Sequence, residues 1–249
     1  MKSVFKAFIP QPYRLRLRQK LSRYLPIDPV EKEFTGLSNK EIFEKIYRKK
    51  LWGNNPDGVS PFYSGYGSHN PEIVKQYLDA IHRFLDTFRQ PQLLVDLGCG
   101  DFNIGSRIAP RAEKYIACDL VADVIEHSKK QYSGKNIEFM VLDLVNDELP
   151  NADIFLVRQV LQHLTNSDIK NFCSKIKNHC SYLVLTEHLP ASSVFRPNLD
   201  KPSGADNRLM FDSGVVLSAE PFNLTCKSEE VLCESSAYRG VIRTTLYCF

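Results

Sequence analysis

The chain has 249 residues, 43% hydrophobic and 24% charged, with a formal net charge of +3. That length can bury one full core and leave an extension. The composition excludes a disordered or low-complexity chain, and no apolar run reaches the length of a membrane span.

The charge is unevenly spread. Residues 1–50 hold 13 Lys/Arg against 5 Asp/Glu, net +8, and the other 199 hold 19 against 24, net −5. The start has no uninterrupted apolar stretch, so a secretory signal is not expected. The segment Tyr13–Leu21 is basic and partly apolar. It reads either as a solvated arm or as a peripheral contact with an anionic membrane surface or partner. Seven scattered cysteines show no CxxC spacing. They predict reduced thiols in the cytoplasm, at most peripheral to the inner face of the membrane, and no zinc site.

In chain order, prolines at 10, 12, 26 and 29 restrict residues 1–37 to short helices. Ser38 with Glu41 forms a capping box ahead of Ile42, Phe43, Ile46 and Tyr47 at helical spacing. An irregular run from Trp52 to Ser68 follows, rich in glycine and serine. Asn70 then caps and Pro71 opens a long amphipathic helix, with Ile73, Val74, Tyr77, Leu78, Ile81, Phe84, Leu85 and Phe88 on one face. Short apolar strands are predicted at 93–97, 115–119, 137–143, 153–158 and 182–187. Helical patterns lie between them, including one at 121–131 and one capped at Thr165. This alternation implies βαβ units, a parallel sheet and right-handed crossovers. Prolines and glycines exclude a long helix between 190 and 223, so a functional loop is expected there. Two final strands, near 229–235 and 241–249, read as a hairpin. The predicted organisation is an N-terminal basic helical cap over 1–69 and an α/β domain over 70–249.

The chemistry points to one turn. Leu93-Leu94-Val95-Asp96-Leu97-Gly98-Cys99-Gly100 runs from a buried strand through an acid into two glycines. Glycine tolerates positive φ there and leaves the backbone open to a ligand beyond the carboxyl end of the strand. Two more strands end in acids, at Asp119 and Asp143. Asp119 lies 23 residues after Asp96, near the spacing at which a carboxylate meets ribose hydroxyls. A dinucleotide fingerprint requires a third glycine, but Phe102 stands near that place. Asp101 adds negative charge, which opposes a phosphate but not a cationic sulfonium.

These residues resemble motif I and the strand-end acids of the class I methyltransferases that use S-adenosylmethionine. The resemblance implies a Rossmann-like, doubly wound sheet of seven strands, mostly parallel, with an antiparallel C-terminal strand. It implies that Asp96, Gly98, Cys99 and Gly100 lie near the methionine end of the cofactor. Asp119 and Leu120 would lie at the ribose, and Asp143 and Leu144 at the adenine. Trp52-Gly53, Ser64–Ser68, Arg158 and His163-Leu164 also look like a bacterial group of methyltransferases often encoded beside polysaccharide and glycosyltransferase genes. By that likeness Ser64, Gly65, Gly67 and Ser68 close over the methionine carboxylate, and Arg158 orients substrate or the turn. His163, Glu187 and His188, at the ends of strands four and five, are the candidate bases. Arg196 and Asp212 are weaker candidates for substrate contact. The implied activity is O-methylation of a small molecule or carbohydrate. An RNA methyltransferase and a non-catalytic cofactor-binding module are the alternatives. No metal is expected. No nucleic-acid partner is expected either, since the basic start lacks interleaved aromatics.

Overall fold

The computed structural model describes residues 33–249, apart from 56, 57, 59 and 133. Leu37–Phe249 forms one compact unit, and the described residues 33–36 belong to a separate one, Met1–Gly36. The basic segment at 13–21 lies outside the described residues. Among the described residues, no helix is long and apolar enough to cross a membrane.

The sheet has seven strands: β1 Leu93–Leu97, β2 Lys114–Asp119, β3 Ile137–Val141, β4 Ile154–Arg158, β5 Tyr182–Pro190, β6 Ser228–Ala237 and β7 Gly240–Cys248. Their spatial order is β3-β2-β1-β4-β5-β7-β6. Strands β1 to β5 pair in parallel, and β7 runs antiparallel to both β5 and β6. The order reverses beside β1, so the crevice beyond β1 and β4 is the switch point where open α/β sheets take ligands. The central strands are buried on both faces and therefore read as continuous apolar runs. One core cluster holds Val95, Phe155, Leu183 and Phe172. The opposite cluster holds Leu94, Tyr115, Leu156 and Tyr77.

Helix α1, Asn39–Lys49, begins with the expected reciprocal box: Ser38 N–H donates to Glu41 Oε2 (2.8 Å) and Glu41 N–H to Ser38 Oγ (3.3 Å). It ends at Lys50 in the left-handed region (φ 55°). A single turn, α2, covers Tyr66–His69. Helix α3, Pro71–Leu85, starts where Asn70 Oδ1 accepts from the N–H groups of Glu72 and Ile73, and it buries Ile73, Val74, Tyr77, Ile81 and Phe84. After β1 the chain makes only the short helix α4, Gly105–Ile108. Helices α5, Ala122–Gln131, and α6, Asn166–Ile176, complete the crossovers.

The expected division at 69/70 is not a boundary in the fold. The compact unit begins at Leu37. Tyr47 of α1 packs with Val121 and Val124, together with Phe43, Trp52 and Phe62. Those aromatics can be buried only against the α/β core, so 37–69 folds as part of it. The 190–223 loop is irregular, as expected, but it is built around buried polar groups. Asn198 Nδ2 donates to the carbonyls of Val216 (2.7 Å) and Glu220 (2.9 Å). The fully buried Arg208 donates to the carbonyls of Leu199, Leu161 and Leu164.

Candidate active site

A cavity of about 410 Å³ opens beyond the carboxyl ends of β1, β2 and β4. Asp96, Asp119 and Asp143 all line it, as do Gly98, Cys99, Gly100, Leu120 and Leu144. The three strand-end acids therefore share one cleft.

The glycine turn is fixed by its own backbone. Gly98 (φ 88°) and Gly100 (φ 56°) occupy conformations that a side chain resists. The N–H groups of Gly98 and Cys99 both donate to Cys118 O (2.8 Å each), and Gly100 N–H donates to Asp119 Oδ2 (3.0 Å). Asp101 N–H goes to Ser64 Oγ (2.8 Å), Phe102 N–H to Cys99 O (3.2 Å) and Asn103 N–H to Asp101 Oδ1 (3.2 Å). Every backbone donor from 98 to 103 thus has an internal partner. A pyrophosphate, which binds such turns through free N–H groups, would find none. Phe102 itself takes a left-handed conformation (φ 61°). Its ring is buried among Tyr115, Tyr132 and Phe139.

Burial sets the electrostatics. Asp96, 7% exposed, accepts from Tyr115 Oη (2.8 Å), yet burial pushes its carboxyl up to about 7. Burial raises Asp119 to about 6, opposed by hydrogen bonds from the backbone of Val121, Gly100 and Leu120. Asp143 accepts from the N–H groups of Val145 (2.8 Å) and Asn146 (3.3 Å), which fixes the turn after β3. Arg158 is buried beside Tyr77, its guanidinium 4.8 Å from the ring centre. Burial lowers its pKa from the usual arginine value, and its Nε is buried without a partner.

The stretch 64–68 closes the cavity. Arg158 donates to Gly67 O (2.7 Å) and Ser68 Oγ (3.1 Å), and Asn103 Nδ2 donates to Ser68 O (2.6 Å). Asp101 completes the latch: its Oδ2 accepts from Ser64 N–H (2.9 Å) and meets His69 Nε2 at 2.6 Å. The expected role of Asp101, repelling phosphate from the ligand side, is corrected by this geometry, because its carboxylate faces the lid. A Cβ at Gly100 would collide with Ser64 Oγ, and one at Gly67 with the Gln159 side chain. Gly100 also has a positive φ, so glycine is favoured there on both counts, whereas a side chain at Gly67 would displace the end of Gln159.

The three candidate bases separate. Along β5, side chains alternate between the two faces. His188 lines the cavity with its cross-strand partner Ile242. Glu187 points to the other face, beside Arg243 and Val215, and its Oε1 accepts from Leu161 N–H (3.1 Å). Placing Glu187 at the reaction centre is therefore wrong. Burial raises its carboxyl to about 8.

His163 lines the cavity but is fully engaged. Gln162 Oε1 accepts from His188 N–H (3.2 Å), so its amide nitrogen is the donor to His163 Nε2 (3.2 Å). His163 then carries its proton on Nδ1 and donates to Gly204 O (3.1 Å). Its ring packs on Trp52, centroids 5.1 Å apart, and Trp52 Nε1 donates to Ala205 O (3.0 Å). Burial, with Lys201 nearby, lowers its pKa to about 3. The expectation of His163 as a free base is corrected to a neutral strut between β4 and the 190–223 loop. His188 is likewise lowered by burial, to about 4.

Gln159, a candidate beside Arg158 at the end of strand four, and Trp52 line the cavity, as do Tyr47, Gln162 and Asn207, which sequence reasoning did not place there. Tyr47 and Trp52 had a signal, as aromatics beside the expected lid. Asn207 had none, because the loop that carries it has no periodicity. Arg196 and Asp212 do not line the cavity; Asp212 ends a 3-10 turn in the left-handed region. Among the described residues, no cluster of three His, Cys, Asp or Glu side chains is arranged to hold a metal ion.

Comparison with known proteins agrees with this architecture. The family model described as a methyltransferase domain matches residues 94–181. An uncharacterized methyltransferase of Mycobacterium tuberculosis is 30% identical over 78 residues, 30% of this chain. The chain spans 40% of the length of that relative. Magnesium protoporphyrin IX methyltransferase from Synechocystis, solved with S-adenosylhomocysteine, superposes with a TM-score of 0.54 at 13% identity, covering 85% of this chain and all of that one. The N-methyltransferase NodS from Bradyrhizobium japonicum, also solved with S-adenosylhomocysteine, gives 0.54 at 14% identity, covering 85% and 99%. At such identities the two structures speak for the fold alone. Residues 94–181 thus match a methyltransferase domain, and the seven-stranded sheet with its acid-tipped cleft has the fold of S-adenosylmethionine-dependent methyltransferases.

Proposed function

We propose that this chain binds S-adenosylmethionine and methylates an oxygen of a small molecule or carbohydrate. The observation that carries the reading is a pair of buried, opposite charges at one end of the cavity. Asp96 is held up to about 7 by burial, and Arg158 keeps a buried Nε without a partner. An α-amino acid end complements both, its ammonium toward Asp96 and its carboxylate toward Arg158 and the hydroxyls of the lid. Asp119 would take the ribose hydroxyls, with Leu120 beside it. Asp143 and Leu144 would border the adenine.

When bound, S-adenosylmethionine supplies an electrophilic methyl on a cationic sulfonium. The residues of the chain position, enclose and neutralise. Asp96, Asp119 and Asp143 favour a cation over a phosphate. The lid, latched through Asp101 and Arg158, excludes water from the reacting atoms. His188 is the histidine left to orient an acceptor, since His163 is committed at both nitrogens. The acceptor's oxygen gains the methyl, and its hydroxyl proton passes to water on the open side of the cavity, by the exposed Tyr238, away from the latched lid. A cavity enclosed by the lid and α1 favours a small acceptor over a folded macromolecule. The cytoplasmic assignment rests on the scattered, unpaired cysteines.

Calorimetry on the full chain tests the reading. S-adenosylhomocysteine is expected to bind and NAD not to bind. Binding of NAD in preference, or no heat with S-adenosylhomocysteine, would overturn it.

A further inference from the structure

The cavity extends past the donor residues toward the β5–β7 side, and the wall there carries no formal charge. Among the described lining residues, the charged side chains are Asp96, Asp119, Asp143 and Arg158. All four are assigned to the donor or the lid above, and this step rests on that reading. What remains for an acceptor is Gln159, His188 and Asn207, with Tyr66, Tyr238 and Ile242 around them.

The hydrogen-bond polarity of that remainder can be worked out. Asn207 Oδ1 accepts from Leu209 N–H (3.1 Å), so its amide nitrogen is the group facing His188 Nδ1 (3.3 Å). His188 therefore accepts at Nδ1 and carries its proton on Nε2, which is buried without a partner. Gln159 Oε1 accepts from Arg158 (3.0 Å), which leaves its amide nitrogen as the free end. The two polar ends left without a partner in this wall are thus neutral donors. Tyr66 and Tyr238 line the same cavity while 60% and 78% exposed. Two exposed aromatic side chains lining one cleft are suited to packing against a ring.

We propose that the acceptor site takes an uncharged, ring-bearing molecule, whose oxygen accepts from His188 and Gln159 and whose ring lies against Tyr66 and Tyr238. A carboxylate, phosphate or ammonium would lose its hydration here and meet no opposite charge, a loss that a buried ion recovers only from a partner.

The test uses the full chain saturated with S-adenosylhomocysteine and three probes sharing one phenol ring: 4-hydroxybenzyl alcohol (neutral), 4-hydroxybenzoate (anionic) and tyramine (cationic). Ligand-observed NMR ranks their affinities. The neutral probe is expected to bind at least about tenfold more tightly than either charged one. Equal or tighter binding of a charged probe overturns the neutral-wall inference, and failure of all three to bind overturns the ring site. Binding of S-adenosylhomocysteine is measured first, and its failure would count against the cofactor reading instead. Tyr238→Ala, on an exposed turn, should weaken the neutral probe about fivefold; unchanged affinity would remove the ring contact. Asn207→Asp keeps the bond from Leu209 N–H and adds a charge, so the preference should move several-fold toward tyramine. An unmoved preference would overturn the assignment of this wall to the acceptor.

Discussion

Replacing Asp96 by Asn separates the cost of the site from its use. In the folded chain burial holds the Asp96 carboxyl near 7, about three pH units above its ordinary value. Each unit is about 1.4 kcal/mol, so ionised Asp96 costs the unliganded protein up to about 4 kcal/mol at pH 8. The folded state binds more protons than the unfolded one between pH 4 and 7, so this contribution lowers stability as pH rises through that window. Asn keeps an oxygen for the Tyr115 hydroxyl and removes the ionisation. Thermal unfolding of the unliganded chain at pH 5 and pH 8 should show a smaller loss of Tm across the interval for Asp96→Asn than for the native chain. The variant should be the more stable of the two at pH 8. Calorimetry at pH 8 should show affinity for S-adenosylhomocysteine down by more than about tenfold, through the lost ammonium partner. If the two chains share one pH dependence, the buried-charge argument fails. If affinity is unchanged, Asp96 does not hold the cofactor.

Other perturbations address the lid, the ribose acid and the displaced candidates. Asp101→Asn should weaken S-adenosylhomocysteine binding about tenfold and speed amide exchange across 64–69, given the charge-assisted bonds to Ser64 and His69; unchanged exchange would show that the latch does not hold the lid. Asp119→Ala should cost more than about tenfold in affinity by calorimetry, since both the ribose contact and the tie to Gly100 are lost. Glu187→Gln should leave affinity for S-adenosylhomocysteine unchanged and, at pH 7, shift stability by less than about 1 kcal/mol, because the native carboxyl is largely protonated there; a collapse in affinity would return Glu187 to the cavity. His163→Ala should lower Tm by several degrees, through the lost Trp52 contact and Gly204 bond, and leave the shape of any pH–rate profile intact. A profile that loses its acidic limb would restore His163 as a base.

The parallel strands were legible because β1 to β5 each carry a short apolar run, with an acid at or just beyond the end of β1, β2 and β3. Helix starts were legible because Ser38, Asn70 and Thr165 carry their capping oxygens in sequence. The three acids at the strand tips follow directly from that reading. What lay hidden depends on contacts distant along the chain. Asp101 was readable as a negative charge, but its direction depends on Ser64 and His69, 37 and 32 residues upstream. The engagement of His163 depends on Gly204, 41 residues downstream, in a stretch without periodicity. The domain boundary was misplaced because amphipathicity marks a helix without saying which core covers it. Only the packing of Tyr47 on Val121 and Val124 places α1 inside the compact α/β unit.

The alternation of β5 has a consequence for how this fold could change its preferences. His188 and Glu187 are neighbours in sequence but sit on opposite sides of one strand, held by the pairs His188–Ile242 and Glu187–Arg243 with β7. Sliding β5 by one residue against β7 would exchange them, bringing a carboxylate in where an imidazole stood. A single insertion or deletion early in that strand would thus place a carboxylate in the cleft without altering the glycine turn or the three strand-end acids.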